Sequence, residues 1–140
     1  MSEKQLTGND RQRMADCLAN DDNVLAAWHF GSTLEASIRP GADIDIGVLF
    51  VRMPTLDELA GLRSALQDAL SFDEIDLVVL NDASPILRFE AISGRPVYTS
   101  DLEARATFAS LTAREYEDEM AQWRRALMMG RSPKLTTSAQ

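Results

Sequence analysis

Apolar residues recur along the chain in two rhythms, and the alternation between them predicts its elements. Met14, Cys17 and Leu18 fall at helical spacing within Asp10 to Asn20, with Thr7 or Asn9 available as the cap. Val24 to Phe30 (VLAAWHF) is a continuous apolar run ending at Gly31, the pattern of a buried strand. Asp43 to Val51 alternates, placing Asp43 and Asp45 on one face and Ile44, Ile46 and Val48 on the other. Thr55 and Glu58 form a capping box for a helix through Leu70, whose Leu56, Leu59, Leu62, Leu66 and Leu70 share one side. Glu74 to Leu80 is a third strand and Ser84-Pro85 opens a helix that Gly94 ends. Arg95 to Thr99 is a short edge strand. Ser100 and Glu103 read as a further capping box, followed by Leu102, Ala106, Ala109, Ala113, Tyr116, Met120, Trp123 and Leu127 at spacings of four and three. This is one helix about 40 Å long at 1.5 Å per residue. The order implies an α/β (α+β) fold, a small mixed β-sheet flanked by helices with a long C-terminal helix. A single domain over residues 1–130 is expected, with a flexible Ser/Thr-rich tail over 131–140.

Charge narrows the partners. With 14 basic and 22 acidic residues the net charge is -8, so the field opposes a phosphate backbone and direct nucleic-acid binding is not expected. A divalent cation dominates the charge of its own site, so a single nucleotide remains open as a ligand. The lone Cys17 permits neither an internal disulfide nor a multi-cysteine zinc site, in keeping with a reducing compartment. MSEKQLTGND lacks the apolar core of a signal peptide and no run spans a bilayer, which points to a cytoplasmic protein without a membrane partner.

The chemistry gathers between His29 and Phe50. Two aspartates in an apolar strand are costly unless a cation compensates them. Asp76, on the next strand, supplies a third carboxylate if the strands are neighbours. Oxygen-only donors suit Mg²⁺, which is usually held by one or two carboxylates together with substrate phosphates, and ATP would complete such a site. Gly31 lets a backbone approach phosphate closely, Ser32 adds a hydroxyl, and Ser32 can cap a turn over Thr33 to Ser37 whose free N–H groups suit an anion. The expected reaction is nucleotidyl transfer at the α-phosphorus. Asp43 and Asp45 would bridge two metal ions, and Asp76 would bind the ion beside the attacking hydroxyl and help remove its proton. Gly47 is expected to leave space beside the carboxylates. It also stands where a phosphatase-like DxDx[TV] motif requires Thr or Val.

Gly31-Ser32, ten intervening residues, Asp43-Ile44-Asp45 and a later isolated Asp76 form a GS-x10-DxD pattern. On these residues the chain resembles the minimal nucleotidyltransferases related to DNA polymerase β. Through NDASPILRFEAISGRPVYTSD and the long Tyr-containing helix it resembles the MNT-type antitoxins, from Val24 to about Leu127. The resemblance implies a DNA polymerase β-like nucleotidyltransferase fold and a hetero-oligomer with a HEPN-type RNase toxin, to which AMP from ATP is transferred on a tyrosine. Many members carry Arg-Gly soon after Gly-Ser; this chain has Thr33-Leu34-Glu35-Ala36-Ser37, leaving Arg39 as the nearby cation for the triphosphate. That departure favours a second reading, an antitoxin that neutralises by binding alone. A small-molecule nucleotidyltransferase of the antibiotic-modifying type is a third, although only the last helix remains here to hold an acceptor.

Other residues carry plainer expectations. His29 reads as packing, Trp28 as core or interface, and the first half of the last helix as core. Met120, Trp123, Met128 and Met129 suit an interface, while the charges from Glu115 to Glu119 read as a solvated face.

Overall fold

Thr7 starts the first helix by accepting a hydrogen bond from the Asp10 backbone N–H at 3.1 Å, while the Asp10 carboxylate accepts from Thr7 N. The computed structural model describes residues 6–31, 33 and 43–130. The expected turn over Thr33 to Ser37, the Pro40-Gly41 turn, Ser32, Arg39 and the tail 131–140 lie outside the described residues, Thr33 excepted. Among the described residues the elements are α1 (Gly8–Ala19), β1 (Val24–Phe30), β2 (Ile44–Phe50), α2 (Leu56–Leu70), β3 (Ile75–Val79), α3 (Pro85–Ile92), β4 (Arg95–Thr99) and α4 (Leu102–Met128). The expected order holds, and the boundaries move by one or two residues.

The strands form one mixed sheet in the order β3-β2-β1-β4, with β1 antiparallel to β2 and β4, and β2 parallel to β3. The alternation in β2 sorts its side chains. Ile44, Ile46, Val48 and Phe50 meet Met14 and Leu18 of α1 and Leu62, Leu66 and Leu70 of α2. On the other face Leu49 joins Ala26, Trp28 and Phe30 of β1, with Leu80 and Ala91. A register shift in β1 between Val24 and Ala26 explains why Val24 and Ala26 contribute to opposite faces. Leu56 departs from the expected leucine stripe: it is the first residue of α2 and is 85% exposed. Gly47 serves packing rather than leaving room beside the carboxylates. A β-carbon there would stand 3.1 Å from Ala91 Cβ and 3.2 Å from Leu80 Cδ2, so the missing side chain lets α3 lie close on the sheet.

Arg88 of α3 ties this face together. Its Nε donates to Leu80 O at 2.8 Å and its Nη2 to Asn81 O; its guanidinium lies 5.4 Å from the Phe108 ring centre and 3.5 Å from Glu115. Asn81 in turn extends the sheet beyond β3, because its side chain both accepts from Phe50 N and donates to Phe50 O. Phe89 stacks on Tyr116 with ring centres 3.9 Å apart, and Trp28 meets Phe108 at 5.9 Å.

The buried face of α4 is rotated from the expected stripe. Leu102 and Ala106 are exposed, whereas Thr112 (1% exposed) and Glu119 (4% exposed) are buried, and Phe108 packs against the core. Ala109, Ala113, Tyr116, Met120 and Trp123 of the stripe are half-buried, and the rotation comes from the Phe108 ring and the Glu115 partner of Arg88 beside them. The Glu115 to Glu119 stretch is therefore only partly a solvated face. The cap also differs: Asp101 accepts from Ala104 N at 3.0 Å, while Ser100 Oγ is engaged with Val24 O and Leu25 O at 3.2 Å.

Replacing Arg88 by Ala removes two part-buried hydrogen bonds to the Leu80 and Asn81 carbonyls and the cation over Phe108. The expected loss is about 2–4 kcal/mol in urea unfolding, against less than about 1 kcal/mol for Glu115→Gln, whose partner keeps its other bonds.

Candidate active site

The sheet topology brings three chain segments to one edge. Because β1 runs antiparallel to β2 and β3 runs parallel to it, the C-terminal end of β1 lies beside the N-terminal ends of β2 and β3. In the register Asp45 faces Phe30 on one side and Asp76 on the other. The backbone N–H of Ile44 donates to Glu74 O at 2.8 Å, which secures the strand starts beside these acids. Asp45 is half-buried and is the one ionisable residue of β2. Asp76 is exposed, and Asp43 is exposed one residue ahead of β2 rather than within it.

Gly31 completes the edge. Its φ of 87° lies in the left-handed region, and a β-carbon there would collide with Asp45 Oδ2, so any side chain would both strain the turn and displace the carboxylate. Burial raises the pKa of Asp45 above the ordinary carboxylate value, and the negative charges of Asp76, Asp43 and Glu90 raise it further. An arrangement that disfavours its own ionised state is electrostatically suited to a cation. Among the described residues no three acidic, histidine or cysteine side chains stand together as a ready-made metal site. The donor set nevertheless fits Mg²⁺, which commonly takes one or two carboxylates and fills its remaining positions with water and substrate phosphates.

The polymerase beta, nucleotidyltransferase family model matches residues 12–103, which include every described member of this edge. The chain belongs to that family. No curated protein matches this nucleotidyltransferase at the sequence level. Among solved structures it is similar to a chain of a toxin–antitoxin MntA–HpeT complex carrying two Asp-to-Glu substitutions, at 21% identity and a TM-score of 0.72 over 86% of this chain and 97% of the other. A toxin–antitoxin structure with AMP-PNP is similar at 21% identity and a TM-score of 0.70, over 86% and 97% of the two chains. A third is a tri-AMPylated Shewanella oneidensis HEPN toxin in complex with MNT antitoxin, at 22% identity and a TM-score of 0.66 over 86% and 95%. At these identities the likeness establishes a shared fold, the minimal nucleotidyltransferase architecture of the MNT antitoxin complexes.

Two features of this edge have no sequence signal. Glu90 of α3 is close enough to influence Asp45, although it is far away along the chain. Beside Gly31 opens a cleft of about 460 Å³ bounded by Phe30, Phe89, Glu90, Ser93 and Tyr116. Only the docking of α3 and α4 on the sheet creates either feature. His29 conforms to its expected packing role: it is 2% exposed, with Nε2 3.0 Å from Thr33 Oγ1. Burial, then the charges of Arg95 and Arg11, lower its pKa to about 4, so it is neutral at pH 7. The pair anchors the chain just beyond Gly31. Cys17 is partly buried with its pKa raised, the behaviour of an unreactive packing thiol. No helix among the described residues is long and apolar enough to cross a membrane.

Two stability measurements follow from these charges. The folded pKa of Asp45 lies above its unfolded value, so its contribution is fully present at low pH and is lost as pH rises through the folded pKa. Asp45→Asn keeps the neutral form at all pH and should raise the midpoint of thermal unfolding at pH 7 in the absence of ligand, and the difference from wild type should vanish at low pH. For His29 the folded pKa is depressed, so its contribution is complete above pH 6.5 and is lost as pH falls to about 4. Unfolding across that window should show a loss of about 3 kcal/mol in the wild type, which His29→Gln removes.

Proposed function

We propose that this chain is an antitoxin that transfers AMP from ATP to a tyrosine of a HEPN-type RNase toxin, with Mg²⁺, and binds that toxin. The observation that carries the reading is the pairing of Asp45 with Asp76 across adjacent strands, directly beside the left-handed Gly31. Membership of the nucleotidyltransferase family supports the reaction class. The similar structures support the partner and the transferred group, since they comprise toxin–antitoxin complexes, one with AMP-PNP and one with a tri-AMPylated HEPN toxin.

Asp43, Asp45 and Asp76 would hold Mg²⁺, which when bound supplies charge neutralisation at the α-phosphate and the leaving pyrophosphate. Gly31 and Ser32 receive the triphosphate, with Arg39 as the nearby cation. Gly31 lets the phosphates approach the backbone while holding the Asp45 carboxylate in place. The toxin tyrosine oxygen attacks the α-phosphorus, forming one P–O bond as the bond to the β-phosphate oxygen breaks. Pyrophosphate leaves, and the tyrosine proton passes to Asp76, which is exposed.

The binding half of the proposal rests on α4. Its C-terminal end presents Leu127, Met128 and Met129, all exposed, with Met128 at 90%. Flexible apolar side chains in an otherwise acidic protein suit a protein interface. This patch also favours the second reading, an antitoxin that neutralises by occupying the toxin alone.

Incubating the chain with ATP, Mg²⁺ and the toxin should give AMP-sized mass increases on the toxin. The Asp43→Asn, Asp45→Asn double variant should lower the rate by at least about 100-fold, as loss of an electrostatic catalytic element does. No mass increase, with the double variant still neutralising the toxin, selects the binding-only reading.

A further inference from the structure

We infer that the cleft between α3 and the end of β1 receives the adenine base of ATP, and that Glu90 accepts a hydrogen bond from its exocyclic 6-amino group. This rests on the nucleotidyltransferase reading and adds to it the part of the site that recognises the base. The cleft begins at Gly31, so it is continuous with the edge that holds Asp45. Its volume of about 460 Å³ is that of a small-ligand site.

The chemistry of the lining selects which part of a nucleotide enters. Phe30 forms one side, and the Phe89–Tyr116 stack, with an interplanar angle of 9°, gives an aromatic wall suited to a flat ring. Among the described residues none that lines the cleft is cationic, and Glu90 is anionic, so a triphosphate is disfavoured there. Ser93 donates its hydroxyl proton to Phe89 O at 2.7 Å and has only acceptor capacity left for a ligand. Glu90 is exposed, and as a carboxylate it too only accepts. A ring with a donor on its edge satisfies this lining, and the 6-amino group of adenine is such a donor. The influence of Glu90 on Asp45 agrees with its position beside the reacting centre.

The test compares ATP with purine riboside triphosphate, which differs only in lacking the 6-amino group, by calorimetric titration with Mg²⁺. Wild-type protein should bind ATP about 10-fold more tightly, the worth of one hydrogen bond to a charged group. Glu90→Ala should abolish the difference between the two nucleotides, whatever it does to both affinities by removing a negative charge. Tyr116→Ala should weaken both about 10-fold; because Tyr116 also supports α4, the exposed Glu90 variant carries the decision. Equal wild-type affinities, or a preference that survives in Glu90→Ala, overturns the assignment of the base. Failure of the wild type to bind either nucleotide overturns the nucleotidyltransferase reading itself.

Discussion

A half-buried carboxylate near the start of a central strand sets the terms for the rest of this molecule. Asp45 interrupts a strand whose other residues are all buried and apolar, and it faces Asp76 directly across a parallel pairing. Burial and like charge both oppose its ionisation. Such a position persists only if the surrounding fold is stable enough to tolerate it and a ligand rewards it. The two apolar clusters, one on each face of the sheet, supply the first condition. In the proposed function, a nucleotide with its cation would supply the second.

Support for the edge comes from elements that contribute nothing to its chemistry. Gly47 removes a side chain so that Ala91 and Leu80 can close on the sheet, which seats α3 under the strand that carries Asp45. Arg88 fastens α3 to the segment after β3 and to α4, and Asn81 prolongs the β2–β3 pairing. His29, kept neutral by burial, ties Thr33 to β1 immediately after Gly31. The aspartates are thus placed by the rigidity of packing on the α3 face and by backbone register, and the ionised Asp45 carboxylate itself costs stability.

Most of the fold and half of the edge were legible in the sequence for identifiable reasons. Strand alternation around Ile44, Ile46 and Val48 reports burial directly, and the Thr7–Asp10 and Thr55–Glu58 caps are local motifs complete within four residues. Asp43, Asp45 and Asp76 were visible because polar residues are conspicuous in apolar runs. The face of α4 is legible in part: Ala109, Ala113 and Tyr116 lie on it as the spacing predicts, whereas Phe108 and Glu115, which also orient the helix, have partners remote along the chain. Ser100 looked like a cap because nothing local reveals that its hydroxyl is spent on Val24 and Leu25. Glu90 and the aromatic cleft exist only once two helices dock on the sheet, and no spacing announces them.

In the proposed reaction the bond broken is the one between the α-phosphorus and the oxygen that bridges to the β-phosphate. Supplying the chain, Mg²⁺ and the HEPN-type toxin with ATP labelled at either the α- or the γ-phosphate tests it directly. The α label should appear on the toxin and the γ label should be released as pyrophosphate. Incorporation of the γ label, or neutralisation of the toxin with neither label attached, contradicts nucleotidyl transfer by this site.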